Sequence, residues 1–162
     1  IREFIHHPKV VAIGEAGLDR LTDLPLSLQT EVFTEMVSLS EEARKPLIIH
    51  AVRTHAEIAL LHKSLKPKQA WIIHGFNLRK SIADGLLDSG FHLSFGAQLL
   101  HENSSASQVF PDVPDDRFFL ESDDSSIDMK DLYVRAANLR GCTVEQLTES
   151  LYGRFNKLFY KV

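Results

Sequence analysis

Four side chains that can ligate a metal ion or transfer a proton each follow a short, mostly apolar run of the sequence. Glu15 follows VVAIG, His50 follows LII, His74 follows AWII and Asp123 follows RFFLES. Taken singly, each has an ordinary explanation, since a histidine can pack at the edge of a core and a carboxylate can cap a helix or lie in a turn. Four of the five such runs in the chain end in this way. The recurrence indicates one shared site.

Two neutral imidazoles and two carboxylates form a ligand set for a divalent metal ion. Mixed nitrogen and oxygen donors suit Zn²⁺, Mn²⁺ or Fe²⁺ better than Ca²⁺, which prefers oxygen alone, while Mg²⁺ could bind through the carboxylates. One such ion or two would lower the pKa of a bound water and make hydroxide available near neutral pH. The chemistry that these residues predict is metal-assisted hydrolysis.

The apolar runs alternate with segments of helical periodicity. The runs predict strands at 10–14, 47–49, 70–73, 91–95 and 117–122. The periodic segments predict helices at 25–44, 54–64, 79–89, 128–140 and 143–159. This alternation is typical of an α/β fold with a parallel sheet, and no linker divides the single domain that we expect over 1–162. Since the carboxyl ends of parallel strands share one rim, we expect the four side chains to converge there.

Composition and charge restrict the class of protein. Hydrophobic residues make up 44% of the 162 residues and charged residues 25%, as in ordinary soluble globular domains. A net charge of −4 provides no basic surface for a nucleic-acid backbone, so a nucleic-acid substrate needs another source of positive charge. The sole cysteine, Cys142, excludes an internal disulfide and favours a cytoplasmic location. No apolar run approaches the length of a membrane span, so we expect no membrane partner.

Five ordered motifs give the sequence a resemblance to a known family. They are IGEAGLD at 13–19, PLIIHAVR at 46–53, IIHGF at 72–76, FLESDD at 119–124 and LRGCTVEQLTESLYGRFNKLF at 139–159. In order and spacing these motifs resemble the TatD family of metal-dependent deoxyribonucleases, a branch of the amidohydrolase-like TIM-barrel hydrolases. The resemblance spans essentially the whole chain and includes all four residues that follow the apolar runs.

The resemblance implies a role for each of these four residues. Glu15 would bridge two divalent ions, which could be Mg²⁺, Mn²⁺ or Zn²⁺. His50 and His74 would bind one ion. Asp123 would bind the other and take a proton from the attacking water, so that Glu15 and Asp123 are the catalytic residues. The ions would hold a phosphodiester, such as the 3′ end of DNA, and would supply the positive charge that the protein surface lacks.

Two further residues are expected to contact the substrate. Arg53 lies three residues after His50, and Asn77 lies three residues after His74. Both depart from the family pattern, in which an arginine more often stands two residues after the first histidine and a serine stands at the position of Asn77. They are predicted to bind the phosphodiester on the strength of their places in the two motifs.

The resemblance also implies a (β/α)8 TIM barrel, of which this chain would supply about strands four to eight with their helices. Family members begin with an H-x-H motif at the end of the first barrel strand, and this sequence has no counterpart of it. Five strands cannot close a barrel. The expectation is therefore the C-terminal part of a TatD-like barrel, from a fragment, a truncated gene model or an incompletely covered chain.

Three functions are compatible with the sequence. The first is a metal-dependent nuclease that hydrolyses DNA or another phosphodiester. The second keeps the two-metal site but hydrolyses a small ester, amide or lactone, because fold alone does not select the substrate. The third is an inactive truncated fragment or a binding module, because half of one metal site is missing. The natural metal, exonuclease or endonuclease action and the oligomeric state stay open at this point.

Overall fold

Five parallel strands form one sheet in the computed structural model, which describes residues 1–160. In chain order they are β1 (Ile13–Asp19), β2 (Leu47–Val52), β3 (Trp71–Ile73), β4 (His92–Phe95) and β5 (Phe118–Leu120). The spatial order equals the chain order, and every adjacent pair is parallel. The predicted α/β fold with a parallel sheet is confirmed. The predicted domain, 1–162, includes two residues, 161–162, that lie outside the described part.

Helices form the connections between these strands. They are α1 (Leu26–Ala43), α2 (His55–Leu65), α3 (Lys80–Asp88), α4 (Ser105–Val109), α5 (Met129–Arg140) and α6 (Val144–Phe155). Two short 3₁₀ helices, Ala97–Leu100 and Phe110–Asp112, flank α4, and a π-helical turn, Asn156–Tyr160, follows α6. Within residues 1–160, no helix combines the length and apolar character needed to cross a bilayer.

The predicted start of the first strand and the predicted ends of the first two strands are wrong. β1 begins at Ile13 rather than at residue 10, because its partner β2 begins only at Leu47, after a proline that has no backbone N–H to donate. Pairing then continues to Asp19 and Val52, beyond the end of both apolar runs. Glu15 and His50 therefore lie inside strands and not after them. Polar site residues interrupt the apolar pattern from which the strand ends were predicted.

Aromatic packing holds the middle of the sheet against the helices. The ring of Trp71 in β3 lies 5.2 Å from that of Phe33 in α1 and 5.7 Å from that of Phe91, between centroids. His62 of α2 joins the same cluster, 4.9 Å from Trp71 and 4.5 Å from Phe91. Because such clusters resist rearrangement, the strand ends above them are held in fixed positions.

A bulge in β1 and a glycine bring the first two strands close together. Between Ile13 and Ala16 the register shifts, so that β1 contains one residue more than β2 over the same length. Gly17 is the register partner of His50, and a Cβ on Gly17 would lie 1.7 Å from the carbonyl oxygen of His50. No residue with a side chain fits at position 17 unless β1 moves away from β2.

We predict that Gly17→Ala destabilises the protein by about 3 kcal/mol, because overlap with backbone must be relieved by separating two paired strands. The matched control is Gly85→Ala in α3, where an added Cβ meets nothing within 4 Å. This control should stabilise the helix by ~0.5–1 kcal/mol. Urea unfolding of the two variants and the parent measures both effects. An unchanged unfolding midpoint for Gly17→Ala would contradict the observed strand pairing.

Candidate metal centre

Glu15, His50 and His74 converge above the first three strands. Each offers one ligand atom, and these three atoms all lie within 4.8 Å of one another. Glu15 Oε2 is 3.3 Å from Nε2 of His74, and Nδ1 of His50 is 3.0 Å from the same nitrogen. The structure thus brings together three of the four residues that the sequence singles out.

Neighbouring strands position these three side chains. Glu15 projects from the bulge of β1, and His50 is the fourth residue of β2. His74 directly follows β3, and its backbone N–H donates to the carbonyl of Ile49 at 3.1 Å. The buried hydroxyl of Thr54 donates to the carbonyl of Leu18 at 2.6 Å and ties the end of β2 to β1. Main-chain pairing therefore fixes the points from which all three ligands extend.

The second nitrogen of His74 faces two other carboxylates. Its Nδ1 lies 3.7 Å from Oε1 of Glu121 and 3.9 Å from Oδ2 of Asp123. The Glu121 carboxylate raises the pKa of His74, burial opposes this, and Glu15 and Asp123 add to the rise. Metal-ligating histidines commonly have a carboxylate on the nitrogen remote from the ion. Asp123 lies on the Nδ1 side of the ring, opposite to Glu15, and is not one of the three residues whose ligand atoms converge.

Glu121 is a site residue that the sequence reading missed. It accepts hydrogen bonds from the backbone N–H of Gly75 at 2.5 Å and from the hydroxyl of Ser94. Burial raises the pKa of Glu121, but His74, Ser94 and the Gly75 N–H together lower it further, so that the net shift is downward. The residue was hidden in the run RFFLES, which predicts a strand to 122. Since β5 ends at Leu120, Glu121 is the first residue beyond it.

The end of β1, where the chain enters the β1–α1 loop, supplies a partner for His50. Oδ2 of Asp19 is 3.6 Å from Nε2 of His50, whose other nitrogen faces His74. Gln29 of α1 holds this loop, because its Oε1 accepts from the Asp19 N–H at 2.7 Å and its Nε2 donates to the Leu24 carbonyl at 2.7 Å. Neither Asp19 nor Gln29 was predicted from the sequence as a site residue. Asp19 closes the motif IGEAGLD, and its place at the end of β1 is the signal that could have found it.

The two predicted substrate contacts lie in turns after β2 and β3. Arg53 is exposed and directly follows β2, with a left-handed φ of 55°. Oδ1 of Asn77 accepts from the backbone N–H of Ala106 at 2.9 Å, so this side chain anchors α4. The substrate contacts of Arg53 and Asn77 stay predictions.

A cavity of about 170 Å³ opens beside the carboxylate of Glu121 and is lined by residues 75–76, 96–98 and 121–125. Its walls include Glu121 and Asp123. His74 is only 10% exposed, whereas Glu15 is 51% exposed, so the group of three is open to solvent on the side of Glu15. A substrate can therefore approach the site without unfolding of the strands.

The contact between the two histidines fits a cation. At 3.0 Å, Nδ1 of His50 and Nε2 of His74 must share a proton, because two lone pairs would repel each other. A divalent ion can take the place of that proton, with the carboxylate of Glu15 as its third ligand. Two imidazole nitrogens and one carboxylate oxygen suit Zn²⁺, Mn²⁺ or Fe²⁺.

Comparison with known proteins finds similar sequences and one matching family model. A family model described as TatD related DNase matches residues 1–159. The chain is 34% identical over 126 residues to the uncharacterized metal-dependent hydrolase YabD of Bacillus subtilis (strain 168), a match covering 76% of this chain and 49% of YabD. It is 28% identical over 145 residues to the 3′-5′ ssDNA/RNA exonuclease TatD of Musicola paradisiaca (strain Ech703), covering 86% of this chain and 54% of that protein.

A solved structure also matches the fold. The crystal structure of YjjV, a TatD homologue from Escherichia coli K12, superimposes with a TM-score of 0.87 at 23% sequence identity. This match covers 98% of the present chain and 68% of YjjV. The chain spans about half the length of the two curated relatives named above.

We predict that Glu121→Gln lowers the pKa of His74 in metal-free protein, because the carboxylate facing Nδ1 is lost while burial of the ring remains. A raised histidine pKa contributes stability below the unfolded value of about 6.5, and the contribution is lost as pH rises through the folded pKa. The variant should therefore be less stable than the parent mainly below about pH 6.5, where His74 is protonated. Histidine NMR titration in a chelator measures the pKa, with exposed Glu149→Gln as control. Equal His74 titration in both variants would exclude Glu121 as its partner.

Proposed function

The chain belongs to the TatD related DNase family, and from this membership we propose that it acts as a metal-dependent hydrolase of phosphodiester bonds in single-stranded DNA. The observation that carries the proposal is the convergence of one carboxylate and two imidazoles from three neighbouring strands. A nuclease with a net charge of −4 must offset the charge of its substrate locally, and bound metal ions do so.

In the proposed centre, Glu15, His50 and His74 would hold a divalent ion. A second ion, for which Glu15 and Asp123 would be ligands, is part of the proposal, with Mg²⁺, Mn²⁺ or Zn²⁺ as candidates. Such ions would activate water and stabilise charge on a phosphate undergoing attack. The carboxylate of Glu15 is half-exposed, and it would have to turn away from His74 to share the second ion with Asp123, which lies on the other side of that ring.

The remaining residues orient the ligands and move the proton. Glu121 keeps the ring of His74 turned so that Nε2 faces Glu15 and His50. Asp19 does the same for His50 from the end of β1. In the proposed reaction Oδ2 of Asp123, which is 47% exposed at the cavity wall, accepts the proton of the attacking water. Fixed ligands cost little reorganisation when the charge develops on the phosphate.

We further propose that β1 to β5 correspond to strands four to eight of a (β/α)8 barrel. Support comes from their sequential parallel order and from the match to YjjV, which covers 68% of that chain. In such barrels the reacting groups lie at the carboxyl ends of the strands. This is the edge at which His74 and Glu121 follow β3 and β5. The cytoplasmic location inferred from the single cysteine stays a prediction.

The function is tested with single-stranded DNA labelled at its 5′ end. In Mn²⁺ or Mg²⁺ we predict a ladder of products shortened from the 3′ end, which a chelator abolishes. Glu15→Gln should reduce the rate by about a hundredfold or more, because it removes a charged ligand from the proposed centre. Glu31→Gln, on the exposed surface of α1, is the matched control and should keep the parent rate.

Three outcomes would contradict this proposal or its polarity. Metal-dependent turnover of small esters or lactones without cleavage of DNA would assign the site to the alternative substrate class. The absence of both activities, in protein that also binds no divalent ion, would identify an inactive fragment or a binding module. A 5′ label released as a mononucleotide would reverse the proposed polarity.

A further inference from the structure

A second cavity lies at the edge of the sheet opposite to the metal centre. Its volume is about 500 Å³, and it is lined by residues that immediately precede strands, among them Pro46 before β2, Ala70 before β3 and Arg117 before β5. His74 and Glu121, by contrast, follow β3 and β5. The two sites are therefore separated by the length of the strands. Cavities of this volume hold small organic ligands.

The cavity wall is basic although the chain as a whole is acidic. Lys68, Arg117 and Lys157 line it, and none of its lining residues among the described ones is Asp or Glu. Oε1 of Glu41 accepts from the backbone N–H groups of Lys68 and Gln69 at 2.8 and 2.9 Å, and Oδ2 of Asp116, which is 78% exposed, is 3.6 Å from Nε of Arg117. An exposed ion pair of this kind compensates little of the positive charge. A local excess of positive charge in a concave site attracts anions.

His92 provides an unsatisfied polar group on the same wall. This first residue of β4 is only 9% exposed, and its Nδ1 is buried without a hydrogen-bond partner among the described residues. Native structures rarely leave a buried polar atom unpaired, because its desolvation is costly. Burial, followed by the nearby Arg117, lowers the pKa of His92 to about 4, so that the ring is neutral at pH 7. Because Nδ1 has almost no exposed surface, the ring of His92 must turn before its neutral imidazole can donate a hydrogen bond to a ligand oxygen.

Two other wall residues are held in place before any ligand arrives. Arg117 donates from one terminal nitrogen to the carbonyl of Gly90 at 2.9 Å, which fixes the guanidinium at the cavity edge. The ring of His62 packs between Trp71 and Phe91. Groups that are already ordered lose little conformational entropy on binding. The wall thus combines a fixed guanidinium, two exposed ammonium groups and two imidazole rings.

We propose that this cavity binds a phosphate monoester of nucleotide size. The guanidinium and the two lysines match a doubly charged phosphate, for which arginine is the preferred partner. The volume exceeds what a bare phosphate fills, and the partly exposed ring of His62 offers a surface for an organic group. This site is independent of the proposed hydrolysis, because none of its lining residues belongs to the metal centre.

The test is calorimetric titration of the whole chain with adenosine 5′-monophosphate, in chelator and in a buffer without phosphate. We expect one site with a Kd below about 1 mM, much weaker binding of inorganic phosphate and none of adenosine. The double variant Lys68→Ala, Lys157→Ala should weaken binding about tenfold or more, since it removes two of three cations. Lys63→Ala, Lys130→Ala is the matched control, because both lysines are exposed and lie outside the cavity. His92→Phe, which keeps a ring in β4, should also weaken binding.

Several results would overturn the proposal. These are no binding at about 5 mM nucleotide, or equal affinity in the parent, the lysine variant and His92→Phe. Equal affinity for inorganic phosphate would reduce the site to one for a bare anion. Loss of binding in Glu15→Gln, with the lysine variant unaffected, would move the ligand to the metal centre. Failure of the nuclease test leaves each of these readouts unchanged, so the two proposals fail separately.

Discussion

The candidate metal centre depends on the close pairing of β1 with β2. Gly17 passes so near to the backbone of His50 that no side chain fits between them, and the bulge before it adds one residue to β1. Together they place Glu15 beside His50 although the two residues come from different strands. Without the bulge, every residue on one side of it would shift in register by one and turn to the other face of the sheet. The close approach of β1 to β2 thus requires a glycine at position 17 and also fixes the position of the Glu15 carboxylate.

Charged neighbours orient the side chains that the backbone positions. His74 lies between a carboxylate and an imidazole on one side and two carboxylates on the other, so each of its nitrogens has a defined direction. Glu121 is mostly buried and yet favours its ionised form, because Ser94, the Gly75 N–H and His74 stabilise the charge. A buried carboxylate with these partners acts as a fixed reference for the ring. Glu121, which follows β5, therefore orients the ring of His74, and His74 in turn faces Glu15.

The sheet and part of the site can be predicted from the sequence, and particular residues show why the rest cannot. The alternation of apolar runs and helical segments predicts the parallel sheet, and Glu15, His50 and His74 were found because each follows such a run. Glu121 was not found, because it lies inside a run that looks like a strand. Asp19 was not found, because it lies well beyond the apolar run 10–14 that predicts the first strand. Asp123 has a left-handed φ of 49° and meets the far side of His74, a direction that spacing alone does not give. The basic cavity combines residues as far apart as 62 and 157, which only the fold brings together.

We propose that the carboxylate and two imidazoles above β1, β2 and β3 bind a divalent ion. Anomalous diffraction from crystals of this chain grown with Mn²⁺ or Zn²⁺ tests this site. We predict a strong peak bound by a carboxylate oxygen of Glu15, Nδ1 of His50 and Nε2 of His74, at about 2.0–2.3 Å from each. The hydrogen bond between the two histidines should be lost when the ion binds. A peak elsewhere, or an intact contact between the histidines at saturating metal, would show that these three residues do not form the metal site.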